Sequence, residues 1–199
     1  MKKIFLLAII TAACNFSFLS AKTWRVSNID ATANFSTLDA AIQGITAGDT
    51  LYLEGSNIGY SLSNPITKKV AIIGPGYWLA DNPNTSVSKL EAYIYADGAS
   101  IMANGTLIEG VVLYNKGQLM GSFNIGADDV IIRKCCIGTN ISFDDNNTNT
   151  QLQIKNTAIM QCYITTATLA STNNDDTAYN SLIINNIFTG GNLSYGLSY

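Results

Sequence analysis

The sequence predicts an all-β fold, a parallel β-helix in which short strands stack coil upon coil. Three observations predict it: similar aliphatic segments recur at near-constant spacing, side chains alternate within each segment, and the connections are rich in Asn, Thr, Ser and Gly. The segments are Ile108-Glu109-Gly110-Val111-Val112-Leu113, Ile132-Arg133-Lys134-Cys135-Cys136-Ile137, Ile159-Met160-Gln161-Cys162-Tyr163-Ile164 and Ile183-Ile184-Asn185-Asn186-Ile187-Phe188. Their first members lie 24, 27 and 24 residues apart, a regularity that signals stacked repeats. A hexapeptide helix would repeat in sixes, and a leucine-rich repeat would show leucines and a helical half-turn; neither pattern is present.

Taken in chain order, the first element is an export signal. Lys2 and Lys3 precede an apolar run from Ile4 to Ala13, which continues through Phe16, Phe18 and Leu19 to the small residues Ser20 and Ala21. This is the pattern of a secretory signal peptide over residues 1–21, and it is too short and too interrupted by Thr11, Asn15 and Ser17 for a transmembrane span. Two outcomes stay open: cleavage after Ala21, or lipidation of Cys14, because Thr11-Ala12-Ala13-Cys14 is similar to a bacterial lipobox. Either way the expected location is periplasmic, cell-surface or extracellular, with residues 22–199 forming a single domain.

The mature chain opens with a strand at Trp24-Arg25-Val26. A helix follows over Ser36-Thr37-Leu38-Asp39-Ala40-Ala41-Ile42-Gln43, with Ser36 as N-cap, an acid in the first turn, and Gly44 or Gly48 as its end. Asp49-Thr50-Leu51-Tyr52-Leu53 resumes as strand, and Val70-Ala71-Ile72-Ile73 leads into a tight Gly74-Pro75-Gly76-Tyr77 turn. Ile72 and Ile108 are 36 residues apart, so a loop around Trp78 to Ser88 is inserted there.

Within the repeats, alternation sets the facing. The inward set is Ile108, Val111 and Leu113; Val130, Ile132, Cys135 and Ile137; Ile159, Cys162 and Ile164; and Ile183, Asn186 and Phe188, with Thr106, Thr157 and Ser181 preceding. The alternation skips a beat at Gly110, Lys134, Gln161 and Asn185, which places a bend there in every coil. Asn186 continues the Cys135–Cys162 column, where an inward amide can bond to the neighbouring coil.

The runs Trp24-Arg25-Val26, Phe35-Ser36-Thr37-Leu38-Asp39-Ala40-Ala41-Ile42 and Ala47-Gly48-Asp49-Thr50-Leu51-Tyr52-Leu53 resemble the opening of right-handed parallel β-helix proteins of the pectate-lyase-like superfamily. Ile72-Ile73-Gly74-Pro75-Gly76-Tyr77 is similar to a coil of its secreted bacterial members. The resemblance implies right-handedness and a short N-terminal helix covering the end of the stack, and it is specific for fold rather than for activity.

Composition excludes several function classes. The formal charge is −3, and removing residues 1–21 takes two lysines and no acid, leaving −5. An acidic chain without a basic run does not suit nucleic acid. Hydrolases of the polygalacturonase kind, which the resemblance brings to mind, pair aspartates with a histidine, and this sequence has 0 histidines. Polysaccharide lyases use calcium and a basic side chain, which makes Arg133 the candidate catalytic base. Against this, Glu109 is aligned one coil below Arg133, so a ladder salt bridge explains the same arginine. Lys134, at the bend, reads as solvated.

Asp144, Asp145, Asp175 and Asp176 lie in Asn-rich loops and offer hard oxygen ligands for Ca2+; solvated turns explain them equally. Tyr77, Trp78 and Tyr114, with Tyr93 and Tyr95 between them, are candidate sugar-stacking rings; equally, Tyr93 and Tyr95 fit one buried face of a strand and Trp78 fits a cover for the helix edge. The thiols Cys135, Cys136 and Cys162 are odd in number, lack metal-ligand spacing and fit inert, buried positions. The chain reaches Tyr199 without a closing element, so a missing C-terminal part, a partner or a second copy is expected at the open end.

The expected function is a secreted or surface-associated module, carbohydrate-binding or structural and non-catalytic. The alternatives are a calcium-dependent lyase of acidic polysaccharide and an architectural segment of a larger adhesin.

Overall fold

A computed structural model of the chain describes residues 20–81, 88–96, 99–114, 122–144, 153–165, 169–171 and 177–190. Residues 1–19 of the expected signal segment, with Cys14, and Asp145, Asp175, Asp176 and residues 191–199 lie outside them. Among the described residues no helix is long and apolar enough to cross a membrane.

The fold is an all-β solenoid of parallel sheets. The first sheet holds β1 (Thr23–Val26), β2 (Thr50–Leu53), β4 (Ala71–Ile73), β7 (Leu107–Glu109), β10 (Ile131–Arg133), β14 (Ala158–Met160) and β18 (Leu182–Ile184), in that order. The second holds β3 (Tyr60–Leu62), β5 (Tyr93–Ala96), β8 (Val112–Tyr114), β11 (Cys136–Gly138), β15 (Tyr163–Ile164) and β19 (Ile187–Phe188). The third holds β6 (Ser100–Ile101), β9 (Ser122–Ile125), β12 (Asn140–Phe143) and β16 (Leu169–Ser171), and a fourth pairs β13 (Gln153–Lys155) with β17 (Thr177–Tyr179). Each strand is too short to stand alone; in-register stacking joins their inward residues into columns.

The register confirms the repeat. Leu51, Ile72, Ile108, Ile132, Ile159 and Ile183 are successive Cα partners in the first sheet. Tyr60, Ile94, Leu113, Ile137, Ile164 and Phe188 are successive partners in the second. The inward residues from Thr106 to Ile164 are all buried, while Ile183 and Phe188, in the last described coil, are not. Asn186 bonds to the preceding coil as the alternation implies: its Oδ1 accepts from the Cys162 N–H at 2.8 Å and its Nδ2 donates to the Ile159 carbonyl at 2.9 Å.

The skipped beats are left-handed corners. Gly110, Lys134, Gln161 and Asn185 have φ of 68°, 52°, 56° and 54°. A second column of positive φ, which the alternation did not reveal, comprises Gly105, Asp129, Asn156 and Asn180, each five residues earlier. Two such residues bracket each of β7, β10, β14 and β18 and turn the chain at both ends. Asp and Asn tolerate this conformation because their short polar side chains bond locally; here Asn156 Nδ2 donates to Asp129 Oδ1 at 3.0 Å.

The helix α1 spans Leu38–Gly44, and its N-cap is Thr37, not Ser36. The Thr37 hydroxyl accepts from the Ala40 N–H at 3.2 Å. Leu38, Ala41 and Ile42 are buried in the same apolar core as the columns. The structure decides between the two readings of the β5 tyrosines: Ala92 and Ile94 point inward, so Tyr93 and Tyr95 occupy the outer face and not a buried one.

Candidate functional site

Of the three sets of expected site residues, two are placed in full. On the outer face of the first sheet, Arg133 and Glu109 are direct partners across β10 and β7. Arg133 Nε and Nη2 both donate to Glu109 Oε2, at 2.9 and 2.6 Å, which is the expected ladder salt bridge. Lys134 is not simply solvated, because its Nζ lies 2.8 Å from Glu109 Oε1. The two cations hold the Glu109 carboxyl below its ordinary value, the Lys134 hydrogen bond contributing most. A hollow of about 320 Å³ beside them is lined by the Ile73–Tyr77 segment, Glu109, Gly110 and Lys134. Its charges are paired with each other and much of its wall is backbone.

On the outer face of the second sheet, Tyr77, Trp78 and Tyr114 line a single groove of about 270 Å³. Its floor is two outward columns. One is Tyr93, Val112 and Cys136, partners through β5, β8 and β11; Tyr163 continues it. The other runs from Tyr114 to its partner Gly138, with Thr165 beyond. Gly138 keeps the floor open, since a Cβ there would come 3.1 Å from Tyr114 Cδ2 and 3.3 Å from Thr165 Oγ1.

The wall is the turn after β4. Gly76 has φ of 111°, and Trp78 has φ of 56°, an unfavourable backbone for an aromatic residue. The position is held from several sides. The Trp78 N–H donates to Glu91 Oε1, the Trp78 carbonyl accepts from the Asp81 N–H at 3.2 Å, and the indole packs edge-on against Tyr163 with centroids 4.3 Å apart. Tyr77 packs edge-on against Trp78 at 5.3 Å. Trp78 is 46% and Tyr114 49% exposed, so ring faces remain open to solvent.

Glu91 sets the electrostatics of this groove. The Tyr93 hydroxyl donates to it, and that bond, aided by burial, pushes the Tyr93 pKa up to about 12. Burial and then the Glu91 charge push the Cys136 thiol up to about 11. Cys136, Gly138, Glu91 and Asp81 were missed as site residues because the outward columns that bring them together become visible only once coil register is known.

The third set is only partly placed. Asp144 follows β12, where its N–H bonds to the Ile125 carbonyl at 3.0 Å; its expected calcium partners Asp145, Asp175 and Asp176 are outside the described residues. Among the described residues no cluster of three or more His, Cys, Asp or Glu side chains is placed to hold a metal.

The cysteines divide by burial. Cys135 and Cys162 are buried in one column, each with Sγ near a main-chain carbonyl (3.2 Å to Arg133 and 3.3 Å to Met160), whereas Cys136 is half-buried in the groove. Burial pushes the Cys135 thiol well up. In the native protein at pH 8, iodoacetamide should modify Cys136 slowly, because little thiolate exists that far below its pKa, and should reach Cys135 and Cys162 only after denaturation. Peptide mass spectrometry reads each site, and rapid native labelling of Cys135 would contradict this packing.

Neither models of known protein families, nor curated proteins, nor solved structures yield a match to this chain.

Proposed function

We propose that this chain is an exported, right-handed parallel β-helix of the pectate-lyase-like kind, capped by α1, that binds carbohydrate without cleaving it. The carrying observation is the groove in which Tyr77, Trp78, Tyr93 and Tyr114 surround one cavity. Open aromatic faces stack on the apolar faces of sugar rings, and carboxylates and a threonine hydroxyl beside them offer hydrogen bonds to sugar hydroxyls. The volume suits one sugar unit of a longer chain. Export rests on Lys2, Lys3 and the apolar run that follows them; handedness and the capping role of α1 rest on the resemblance of the first coils.

A calcium-dependent lyase has less support. Its candidate base Arg133 is engaged by Glu109 through two nitrogens, and leaving that pair would leave only Lys134 to balance a carboxylate that is 16% exposed. The adhesin reading keeps the same groove but assigns it no ligand.

Titration of an oligosaccharide panel by calorimetry reads binding in the parent and in variants of Trp78 without altering Trp24, whose indole donates to Asp49. Trp78→Ala is expected to weaken the best ligand about tenfold or more, as truncating a central aromatic anchor does. Uronate polysaccharides should give no unsaturated product by absorbance. Turnover abolished by Arg133→Ala would overturn the binding-only reading.

A further inference from the structure

We infer that the aromatic groove selects an amine-bearing sugar, a glucosamine-type unit, over neutral or uronate sugars. This rests on the carbohydrate-binding reading of the same groove.

Among the described residues, the charged side chains lining the groove are Asp81 and Glu91, with no lysine or arginine. Asp81 is exposed, and Glu91 is half-buried in the lining. Glu91 is anchored by the Trp78 N–H and the Tyr93 hydroxyl, so its charge is held in place against the rings. A fixed carboxylate lining the same groove as exposed aromatic rings is favourable to a cation twice over, through direct attraction and through the negative ring faces. The same arrangement repels a uronate.

Among the described residues, two cations lie nearby. Lys134 lines the neighbouring hollow and is paired with Glu109. Lys89 is exposed and reaches the rim of the groove, its Nζ 3.5 Å from the carbonyl of the lining residue Ala80.

The test compares oligosaccharides of glucosamine, N-acetylglucosamine, glucose and galacturonate against the intact chain by calorimetry. The glucosamine oligomer should bind about tenfold more tightly than its N-acetylated counterpart, with the galacturonate weakest, and the advantage should shrink at high salt. Asp81→Asn with Glu91→Gln should erase most of the advantage, and Lys89→Gln should enlarge it slightly; Glu91→Gln keeps an oxygen for the Trp78 N–H. Circular dichroism confirms that the variants fold. If neutral or uronate oligomers bind best and Trp78→Ala abolishes that binding, this inference fails while the carbohydrate-binding reading stands. If glucosamine binding survives Trp78→Ala, it is non-specific attraction to an acidic chain and the inference fails. If no sugar binds, both readings fail.

Discussion

Asp49→Ala is expected to lower the unfolding free energy by about 3 kcal/mol, enough to melt the first coils well before the rest. Asp49 is 2% exposed and sits between α1 and β2. Its Oδ1 accepts from the Lys22 N–H at 2.8 Å, and its Oδ2 accepts from Trp24 Nε1 at 2.8 Å and the Thr46 N–H at 3.0 Å. One carboxylate therefore ties β1, the segment after α1 and the start of β2 together. Alanine strands these donors, each at a cost of roughly 1–3 kcal/mol where water cannot enter; Lys22 is exposed, which sets the total at the lower end.

The same bonds, led by the Lys22 N–H and the Trp24 indole, outweigh burial and hold the Asp49 pKa below its ordinary value. A carboxyl whose pKa is depressed on folding contributes stability that is complete above the unfolded value of about 3.9 and is lost as pH falls through the folded value. Asp49→Asn should thus flatten the acid side of the stability curve. Urea titration at several pH values, read by Trp24 fluorescence with Trp78→Phe, measures both effects. An unchanged midpoint for Asp49→Ala would show that water already satisfies these donors.

Gly110→Ala is expected to cost about 2–4 kcal/mol, and the reason is not its backbone angle alone. Lys134, Gln161 and Asn185 occupy the same corner with φ between 52° and 56°, so the corner accepts side chains elsewhere in the stack. At Gly110 the neighbouring coil presents another glycine: an added Cβ would lie 2.7 Å from the Gly74 carbonyl oxygen, and one on Gly74 would lie 2.5 Å from the Gly110 oxygen. The two backbones meet through the Gly74 N–H on the Glu109 carbonyl at 2.8 Å and the Gly76 N–H on the Gly110 carbonyl at 2.7 Å. Gly74 to Gly76 leads directly into the wall of the groove, so Gly110→Ala should also weaken ligand binding from a distance. Gln161→Gly, on the same corner without this close approach, should stay within about 1 kcal/mol of the parent in the same urea titration. Equal effects at the two positions would mean that conformation, not contact, decides.

Residues whose signal is local were legible in the sequence. Ile108, Ile132, Ile159 and Ile183 repeat because each coil must return an aliphatic side chain to one column, and the broken alternation at Lys134 and Gln161 marks a corner because a left-handed residue interrupts the strand. Ser36 and Thr37 are equally good caps on paper; only the direction of each hydroxyl distinguishes them. The third sheet was missed although Phe123 and Ile125, then Ile141 and Phe143, alternate correctly, because the segments around them differ in length and hide the period. Of the groove, Tyr77, Trp78 and Tyr114 were found as aromatic residues and Arg133 was correctly matched to Glu109.

By itself, then, the amino-acid order determined a parallel stack of coils, its inward columns and its corners, since hydrophobic alternation and turn chemistry are properties of neighbouring residues. Tertiary structure alone decided that Tyr93, Val112, Cys136 and Gly138 share a floor beneath Trp78, and that Gly74 faces Gly110. Those neighbours come from different coils, and only hydrogen-bonded register, working across variable loops, fixes which residues of successive coils lie side by side.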